Sequence, residues 1–256
     1  MIKTSLFRYR FRDSAAVDIG RKRSSNQDAI IQCPGQGFYA VSDGMGGLSD
    51  GGETSSFIAK ILPDMIAGVA AGLKKDSSPK RVSALLKEQI RMLSDSIYET
   101  GNSDGHYRFG ATISGVWMIG KYAVFVNLGD SRGYILRRYR RNVWQVTTDH
   151  NVAALLVAKG ELTREEARDH PSSSRLIRFM GMQVPALPDV FVEEVKPGDR
   201  ILLCSDGLYG MVDDSRLARI MRSSVNMGNV CRKMIDTANE NGGRDNISVV
   251  YIKVRK

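Results

Sequence analysis

Four short acidic segments, spread along most of the chain, contain the residue types best suited to chemistry. They are Asn26-Gln27-Asp28, Asp43-Gly44-Met45-Gly46-Gly47, Ser205-Asp206-Gly207 and Asp245-Asn246. Three of them adjoin apolar runs typical of strands, and an aspartate at the end of a strand can point into a shared cleft. Carboxylates that converge in such a cleft repel one another unless cations lie between them. The pattern therefore predicts a site for hard metal ions.

The donor atoms of this predicted site favour magnesium or manganese over zinc. Asp43 can bridge two cations, and the backbone carbonyl that follows can supply another oxygen, whereas His and Cys are missing from the four segments. A further aspartate, Asp130, also follows a strand-like run. Because a single Asp-Gly pair is a common turn, the prediction depends on the repetition of aspartates in the same context.

Composition limits the protein to a few classes. The 256 residues are 42% apolar and contain neither an internal repeat nor a low-complexity linker. This favours a single domain that spans residues 1–256. No apolar run approaches the roughly 20 residues that span a bilayer, and residues 1–12 lack the apolar core of a secretory signal, so we expect a cytoplasmic protein. Cys33, Cys204 and Cys231 form no CxxC pair, which indicates neither a disulfide framework nor a zinc site.

Hydrophobic spacing predicts helices near both ends of the chain and many strands between them. The predicted helices cover 53–71, with Pro63 as a kink or a shifted start, and 82–98, 214–221 and 227–240. The predicted strands lie within 14–32 and at 37–42, 111–119, 122–128, 133–138, 143–147, 190–195, 200–204 and 247–254. This order predicts an α+β fold, a β-sandwich flanked by helices.

Residues 151–182 interrupt the run of strands and are interpreted as an insertion. The segment contains a short helical run at 152–159 and the sequence Thr163-Arg164-Glu165-Glu166, which is a capping-box pattern. Gly160 and Gly181 favour a mobile segment.

The net charge of +9 could attract nucleic acid, anionic lipid or an acidic protein. The positive charge is concentrated in three clusters, 8–12, 21–23 and 137–141. The first alternates arginine with aromatic residues, which is typical of a strand with one wet and one apolar face. Solvated strand faces and a hairpin tip explain the clusters most simply.

The ordered set of motifs resembles the metal-dependent serine/threonine protein phosphatases of the type 2C group. Besides the four acidic segments, the resemblance includes Arg23, Gly110-Ala111-Thr112, Gly129-Asp130-Ser131-Arg132 and Asp149-His150, and it runs from about Ala16 to Val254. No single motif is decisive, but the complete set in this order is highly specific.

The resemblance implies two packed antiparallel sheets flanked by pairs of helices, and two Mn²⁺ or Mg²⁺ ions. By position, Asp43 would bridge both ions, the Gly44 carbonyl would bind one, Asp206 and Asp245 the other, and Asp28 would act through water. Asp130 matches a possible third ion, Arg23 the arginine that holds the substrate phosphate, and 151–182 the flap beside the active site. A metal-activated water would attack phosphorus in line without a covalent enzyme intermediate.

Two positions depart from the family's pattern. Gln27 replaces a glutamate that many members have, which removes a negative charge near the metals. Met45 replaces a histidine of eukaryotic members that is proposed as general acid, so a water would have to protonate the leaving alkoxide. His150 and His170 are interpreted as structural.

The resemblance also implies phosphorylated protein substrates, with a cognate bacterial Ser/Thr kinase and its targets as partners. It implies a monomer that uses neither nucleic acid nor a membrane. Three alternatives stay open: a binding module of the same fold without turnover, a nucleic-acid binder that uses the +9 surface, and a phosphatase for an acidic small molecule. Metal-dependent turnover of para-nitrophenyl phosphate separates the enzymes from the binding modules.

Overall fold

Ten strands and seven helices make up the regular structure of the described residues. A computed structural model describes residues 6–45, 51–101, 110–168, 170–183, 186–223 and 228–256. The strands are β1 Arg10–Asp18, β2 Asp28–Cys33, β3 Phe38–Asp43, β4 Ile113–Ile119, β5 Tyr122–Leu128, β6 Arg132–Leu136, β7 Trp144–Gln145, β8 Asp189–Glu194, β9 Arg200–Cys204 and β10 Ile247–Arg255. The helices are α1 Gly51–Ala70, α2 Pro79–Gly101, α3 Val152–Ala158, α4 Arg164–Arg168, α5 Asp206–Tyr209, α6 Asp214–Arg222 and α7 Gly228–Glu240.

The strands form two five-stranded antiparallel sheets. One sheet has the order β1-β10-β9-β6-β7 and the other has the order β2-β3-β4-β5-β8. The predicted α+β sandwich is therefore confirmed. The predicted strand at 143–147 is reduced to the two residues of β7, which pair only with β6 at the sheet edge.

Three apolar clusters hold the layers together. Alternate residues of both sheets, among them Phe125 and Ile252, meet in the cluster between the sheets. The outer face of the β2–β8 sheet packs against α1 and α2, with Leu62 and Ile90 fully buried. The outer face of the other sheet packs against α5, α6 and α7 around Tyr251. Each sheet is thus buried on both faces, as expected for four stacked layers.

Helix α1 continues through Pro63 for 20 residues. The predicted shift of its start to the proline is wrong, because the helix begins at Gly51, well before Pro63. Within a long helix, a proline removes one backbone donor, and the packing of Ile58, Leu62 and Ile66 beneath the sheet stabilises the turns on both sides.

The insertion is attached to the sandwich at its base. The backbone N–H of Val152 donates to Arg175 O, and the N–H of Ile177 donates to His150 O. The capping box has the predicted geometry, because Thr163 N donates to Glu166 Oε2 at 2.8 Å and Glu166 N donates to Thr163 Oγ1 at 3.2 Å. The segment is therefore a folded excursion anchored at both ends.

The helices and the cysteines can also be compared with the sequence-based expectations. Among the described residues, no helix has the length and apolar content needed to cross a bilayer. All three cysteines are unpaired and buried.

Candidate metal centre

The first two predicted ligands lie opposite each other on neighbouring strands. Asp28 begins β2, Asp43 ends β3, and the antiparallel register pairs them directly. Thr112 fixes the backbone of Asp43, because its N–H donates to Asp43 O at 2.8 Å and its Oγ1 accepts from Asp43 N at 3.1 Å. The Gly-Ala-Thr segment therefore continues the pairing of β3 with β4 beyond Ile113, and a bridge between Gly44 and Ala111 extends it further. The predicted strand start at residue 111 lies in this extension, although β4 itself is Ile113–Ile119.

The other two predicted ligands come together in the second sheet. Asp206 follows β9 and Asp245 precedes β10, and these two strands are antiparallel neighbours. A Cβ at Gly207 would collide with the carbonyl oxygen of Asn246, so the two backbones approach to a distance that only glycine allows. The glycine after Asp206 is explained by this approach.

Asn246 connects the loop that carries Arg23 to this edge. Its Oδ1 accepts from Gln27 N at 2.8 Å, and its Nδ2 donates to Ile19 O and Ser25 O, each at 3.0 Å. The side chain is buried, with 4% exposure. It is a positioning residue to which the sequence alone assigned no role.

Ser205 links the two halves of the cluster across the sandwich. Its Oγ donates to Asp28 Oδ2 at 2.7 Å and accepts from Ser248 N at 2.9 Å. Asp28 belongs to one sheet and Ser205 directly follows β9 of the other, so this serine connects the sheets at the carboxylate edge. Its role also went unassigned from the sequence.

The backbone of Asp130 is held by Tyr209, whose ring packs against an arginine–aspartate pair. Arg132 binds Asp149 through Nε and Nη2, with a shortest distance of 2.7 Å, and its guanidinium lies 3.6 Å from the ring centroid of Tyr209. The Tyr209 hydroxyl in turn donates to Asp130 O at 3.0 Å. Asp130 itself is 6% exposed. The Gly-Asp-Ser-Arg and Asp-His motifs thus meet beneath the predicted third-ion position.

The electrostatics show that the carboxylates share one pocket. Burial is the main cause that raises the pKa of Asp28 to about 6 and that of Asp206 to about 7, and the charge of Asp245 contributes to both increases. Burial is also the main cause that raises the pKa of Asp43 and of Asp130, and for each of them the charge of Asp206 adds to the effect. Together these aspartates form a cluster of mutually repelling groups.

A hard cation fits this cluster. Asp28 Oδ1 and Asp206 Oδ1 are shielded from solvent and have no hydrogen-bond partner within the described residues. A buried charged oxygen without a partner costs free energy that an ion would recover. In this part of the chain, no three His, Cys, Asp or Glu side chains stand close enough to hold an ion without rearrangement. The carboxylates therefore form a charged pocket, not a finished cage.

Arg23 neutralises one member of the cluster. Its Nη2 lies 2.6 Å from Asp245 Oδ2, and this hydrogen bond is the main cause that raises the pKa of Arg23. The pair is partly exposed, with 42% and 32% of the two side chains accessible. The predicted phosphate-binding residue and a predicted metal ligand therefore contact each other at the mouth of the pocket.

The Asp-Gly-Met segment is tightly packed as far as the structure describes it. A Cβ at Gly44 would collide with the backbone of Gly51, and Gly44 N donates to Gln27 O at 3.0 Å. Met45 is partly buried, and its N–H donates to Gly110 O. Gly46 and Gly47 lie outside the described residues.

His150 joins the Asp130 turn to the base of the insertion. Its Nδ1 accepts from Gly129 N at 3.1 Å, which assigns the proton to Nε2, and Nε2 donates to Asp189 Oδ2 at 3.0 Å. Asp189 also receives two hydrogen bonds from Arg178. Burial lowers the pKa of His150, which keeps this tautomer neutral. The structural interpretation of His150 therefore gains specific partners.

We expect His150→Leu to lower the free energy of unfolding by about 1–3 kcal/mol, because it strands the buried N–H of Gly129. Urea denaturation in chelator measures the effect. His170→Leu is the matched control, since His170 Nδ1 accepts only a local bond from Ser172 N. Equal losses for the two variants would contradict the assigned role.

The fold and the site define a class of protein: a four-layer α+β sandwich with buried carboxylates gathered at one edge of its sheets. A family model for protein phosphatase 2C matches residues 20–241. The chain belongs to this family, and it is a metal-dependent protein serine/threonine phosphatase.

Curated relatives and solved structures agree with this assignment. The serine/threonine phosphatase Stp of Listeria monocytogenes is 30% identical over 241 residues, covering 93% of each chain. The phosphatase PhpP of Streptococcus pneumoniae is 28% identical and covers 95% of this chain and 97% of its own. The solved S. agalactiae serine/threonine phosphatase has a TM-score of 0.84 at 31% identity, covering 96% of this chain and all of the other. The catalytic domain of PstP, solved with two manganese ions, has a TM-score of 0.78 at 29% identity, with 96% and 99% coverage.

Proposed function

We propose that the chain is one catalytic unit, 1–256, which removes phosphate from phosphoserine and phosphothreonine at a pair of Mn²⁺ or Mg²⁺ ions. Asp43 and the Gly44 carbonyl, with Asp206 and Asp245, would be the direct ligands. Asp28 would act through water, and Asp130 would serve a possible third ion. The observation that carries the proposal is the cluster of buried, mutually repelling carboxylates with unpartnered oxygens.

When bound, such ions acidify a shared water and neutralise phosphate charge. The protein's own residues would orient the substrate phosphate. The guanidinium of Arg23 can bind two phosphate oxygens at once with its planar donors. It stands beside Asp245, so a phosphate next to the ions is within its reach.

Protonation of the leaving alkoxide has to come from water. Met45 carries no proton to donate, and His150 is buried with both ring nitrogens engaged. The three buried cysteines cannot act as nucleophiles, because burial raises the pKa of each thiol. A direct attack by water, without a phosphoenzyme, is therefore the proposed course.

The proposed partners are phosphorylated proteins and a Ser/Thr kinase that this enzyme opposes. We propose a cytoplasmic monomer. We propose that the insertion contacts such substrates, and its link to the carboxylate edge supports this, because Arg168 Nη2 donates to Tyr209 O at 3.2 Å, three residues after Asp206. Deleting the insertion should alter turnover of a phosphoprotein more than turnover of a small aryl phosphate.

The direct test is metal removal. Protein stripped with a chelator is expected to lose turnover of a phosphothreonine peptide, and added Mn²⁺ or Mg²⁺ should restore it. The melting temperature should rise with ion concentration, because an ion that binds only the folded state stabilises it by mass action. Full turnover in chelator, or a trapped phosphoenzyme, would refute the proposal.

A further inference from the structure

Six cations share one face at the end of the sheet opposite the metal centre. We call them the basic end: Arg10, Arg12, Arg138, Arg200, Lys253 and Arg255. The register pairs Arg12 with Lys253 across β1 and β10, and Lys253 with Arg200 across β10 and β9. Directly paired residues of antiparallel strands point to the same face, about 5 Å apart. Three positive side chains therefore stand in one row.

A second row lies beyond the first. Arg10 is paired with Arg255. Arg138 enters from the β6 side, where its aliphatic stem covers Gly198. The face is the one that bears α6 and α7, because Tyr251, two residues before Lys253, packs beneath those helices. The basic end is thus the part of this face that continues past the helix layer.

The rows lack acidic partners. Within the described residues, no salt bridge joins any of the six to a carboxylate. Asp199, next to Arg200 in sequence, is engaged by Arg137 and by the N–H groups of Lys196 and Arg138. Arg200 Nε is shielded from solvent without a hydrogen-bond partner. Burial, and then the charges of Arg200, Arg255 and Arg12, lower the pKa of Lys253.

Like charges directly opposite each other destabilise a sheet. An anion placed over the row would remove this repulsion and supply the missing acceptors. Arg200 and Lys253 are only half-exposed, whereas Arg10, Arg12 and Arg255 project into solvent. A narrow extended chain can reach the recessed cations, and a flat membrane surface cannot.

We propose that the basic end is a docking surface for an acidic segment of the phosphoprotein substrate. The proposal rests on the proposed function, in which phosphorylated proteins are the substrates. Lys253 lies eight residues along β10 from Asp245, which at about 3.3 Å per residue places the basic end roughly 25 Å from the metal centre. About ten extended residues can span that distance. Docking would therefore raise the effective concentration of the phosphosite.

The experiment uses the metal-loaded protein and two peptides. Each peptide has a phosphothreonine and, ten residues away, either four glutamates or four glutamines. We expect the glutamates to lower KM for the unaltered protein about fivefold at low salt, with kcat unchanged. The double variant Arg12→Gln/Lys253→Gln should lose this advantage. The unaltered protein should also lose it at about 0.5 M salt, because salt at that concentration screens the attraction between the glutamates and the basic end.

Lys80→Gln/Lys87→Gln is the matched control, since it removes two exposed positive charges from α2 on the other side of the sandwich. It should keep the fivefold advantage. Neither double variant should change the turnover of para-nitrophenyl phosphate. Because the row repels itself, Arg12→Gln/Lys253→Gln should also melt at a higher temperature than the unaltered protein, which rules out a folding defect as the cause of lost docking.

Binding of the unphosphorylated glutamate peptide, measured by fluorescence anisotropy in chelator, separates docking from catalysis. Weaker binding to the basic-end variant supports docking even where no turnover is seen. The proposal is overturned if both peptides have the same KM, or if the two double variants bind the peptide equally. It is also overturned if the basic-end variant loses binding to phosphatidylserine vesicles or duplex DNA but not to the peptide.

Discussion

Asp206→Asn is expected to abolish turnover and, in chelator, to make the protein more stable. The two effects have one cause, which is the burial of a carboxylate that only an ion can compensate. A catalytic metal supplies several kcal/mol of transition-state stabilisation, so losing a ligand should lower kcat/KM by about 10³-fold or more. The neutral amide keeps the shape of the side chain while it removes the charge.

The gain in stability should depend on pH in a specific direction. The folded pKa of Asp206, about 7, lies above the ordinary aspartate pKa of 3.8. The protonated carboxyl is therefore tolerated at low pH, and stability is lost as the pH rises through about 7. We expect the Asp206→Asn protein in chelator to melt about 3 °C or more above the unaltered protein at pH 8, and above it by a smaller margin at pH 5.

Differential scanning fluorimetry in chelator, at both pH values, measures this shift. Asp64→Asn is the control, because Asp64 is exposed on α1, far in sequence from the other carboxylates, and should change neither stability nor turnover. Saturating Mn²⁺ should reverse the order of the melting temperatures, since the unaltered protein binds the ion better. An Asp206→Asn protein that is less stable in chelator at pH 8 would contradict the assignment of an uncompensated charge.

Arg23→Ala is expected to weaken substrate binding and to tighten metal binding at the same time. Arg23 Nη2 donates a hydrogen bond to Asp245 Oδ2 at 2.6 Å, so an ion has to displace the arginine before it can bind this oxygen. Its charge also acts on Asp206 and Asp43, as the interactions that raise its own pKa show. Removing it should leave the pocket more negative and free of a competitor.

The same Arg23→Ala variant should bind substrate more weakly, because it loses a contact to the phosphate. A charge-assisted contact to phosphate contributes about 1.5–3 kcal/mol, so KM for a phosphothreonine peptide should rise about 10- to 100-fold. The Mn²⁺ concentration for half-maximal activity should fall, and calorimetric titration of the chelator-stripped protein should show the same change without turnover. Lys22→Ala, which removes a neighbouring exposed charge, is expected to do neither. Weaker Mn²⁺ binding by Arg23→Ala would refute the competition between arginine and ion.

The carboxylates proposed as ligands could be picked out from the sequence because each stands in a local signal, an aspartate next to a strand-like run. Local signals also gave the capping box at Thr163 and the strand–helix order of the sandwich. The element ends were less certain. The first strand was predicted to begin at about residue 14, but β1 begins at Arg10. The extra residues belong to the strand because they also pair with β10, from Arg10↔Arg255 onward.

The supporting contacts could not be predicted because they depend on register across the sandwich. Ser205 reaches Asp28 over a separation of 177 positions, and Arg23 reaches Asp245 over 222. No local pattern specifies such partners. The basic cluster at 8–12 was interpreted as a solvated strand face, and only the pairing of β1 with β10 shows that its arginines oppose further cations. The predicted start of the last helix at residue 227 lies outside the described residues.

The pairing of β1 with β10 also determines when the enzyme can become active during its synthesis. Asp245 and β10 are translated after the other described elements, yet β10 pairs with β1, and Asp245 completes the cluster that Asp28 and Asp43 begin. Contacts between such distant segments form late in folding. A ribosome-bound chain that has not yet exposed β10 therefore lacks a working centre. Phosphatase activity should arise only after translation has passed the last strand, so unfinished chains cannot dephosphorylate proteins in the cell.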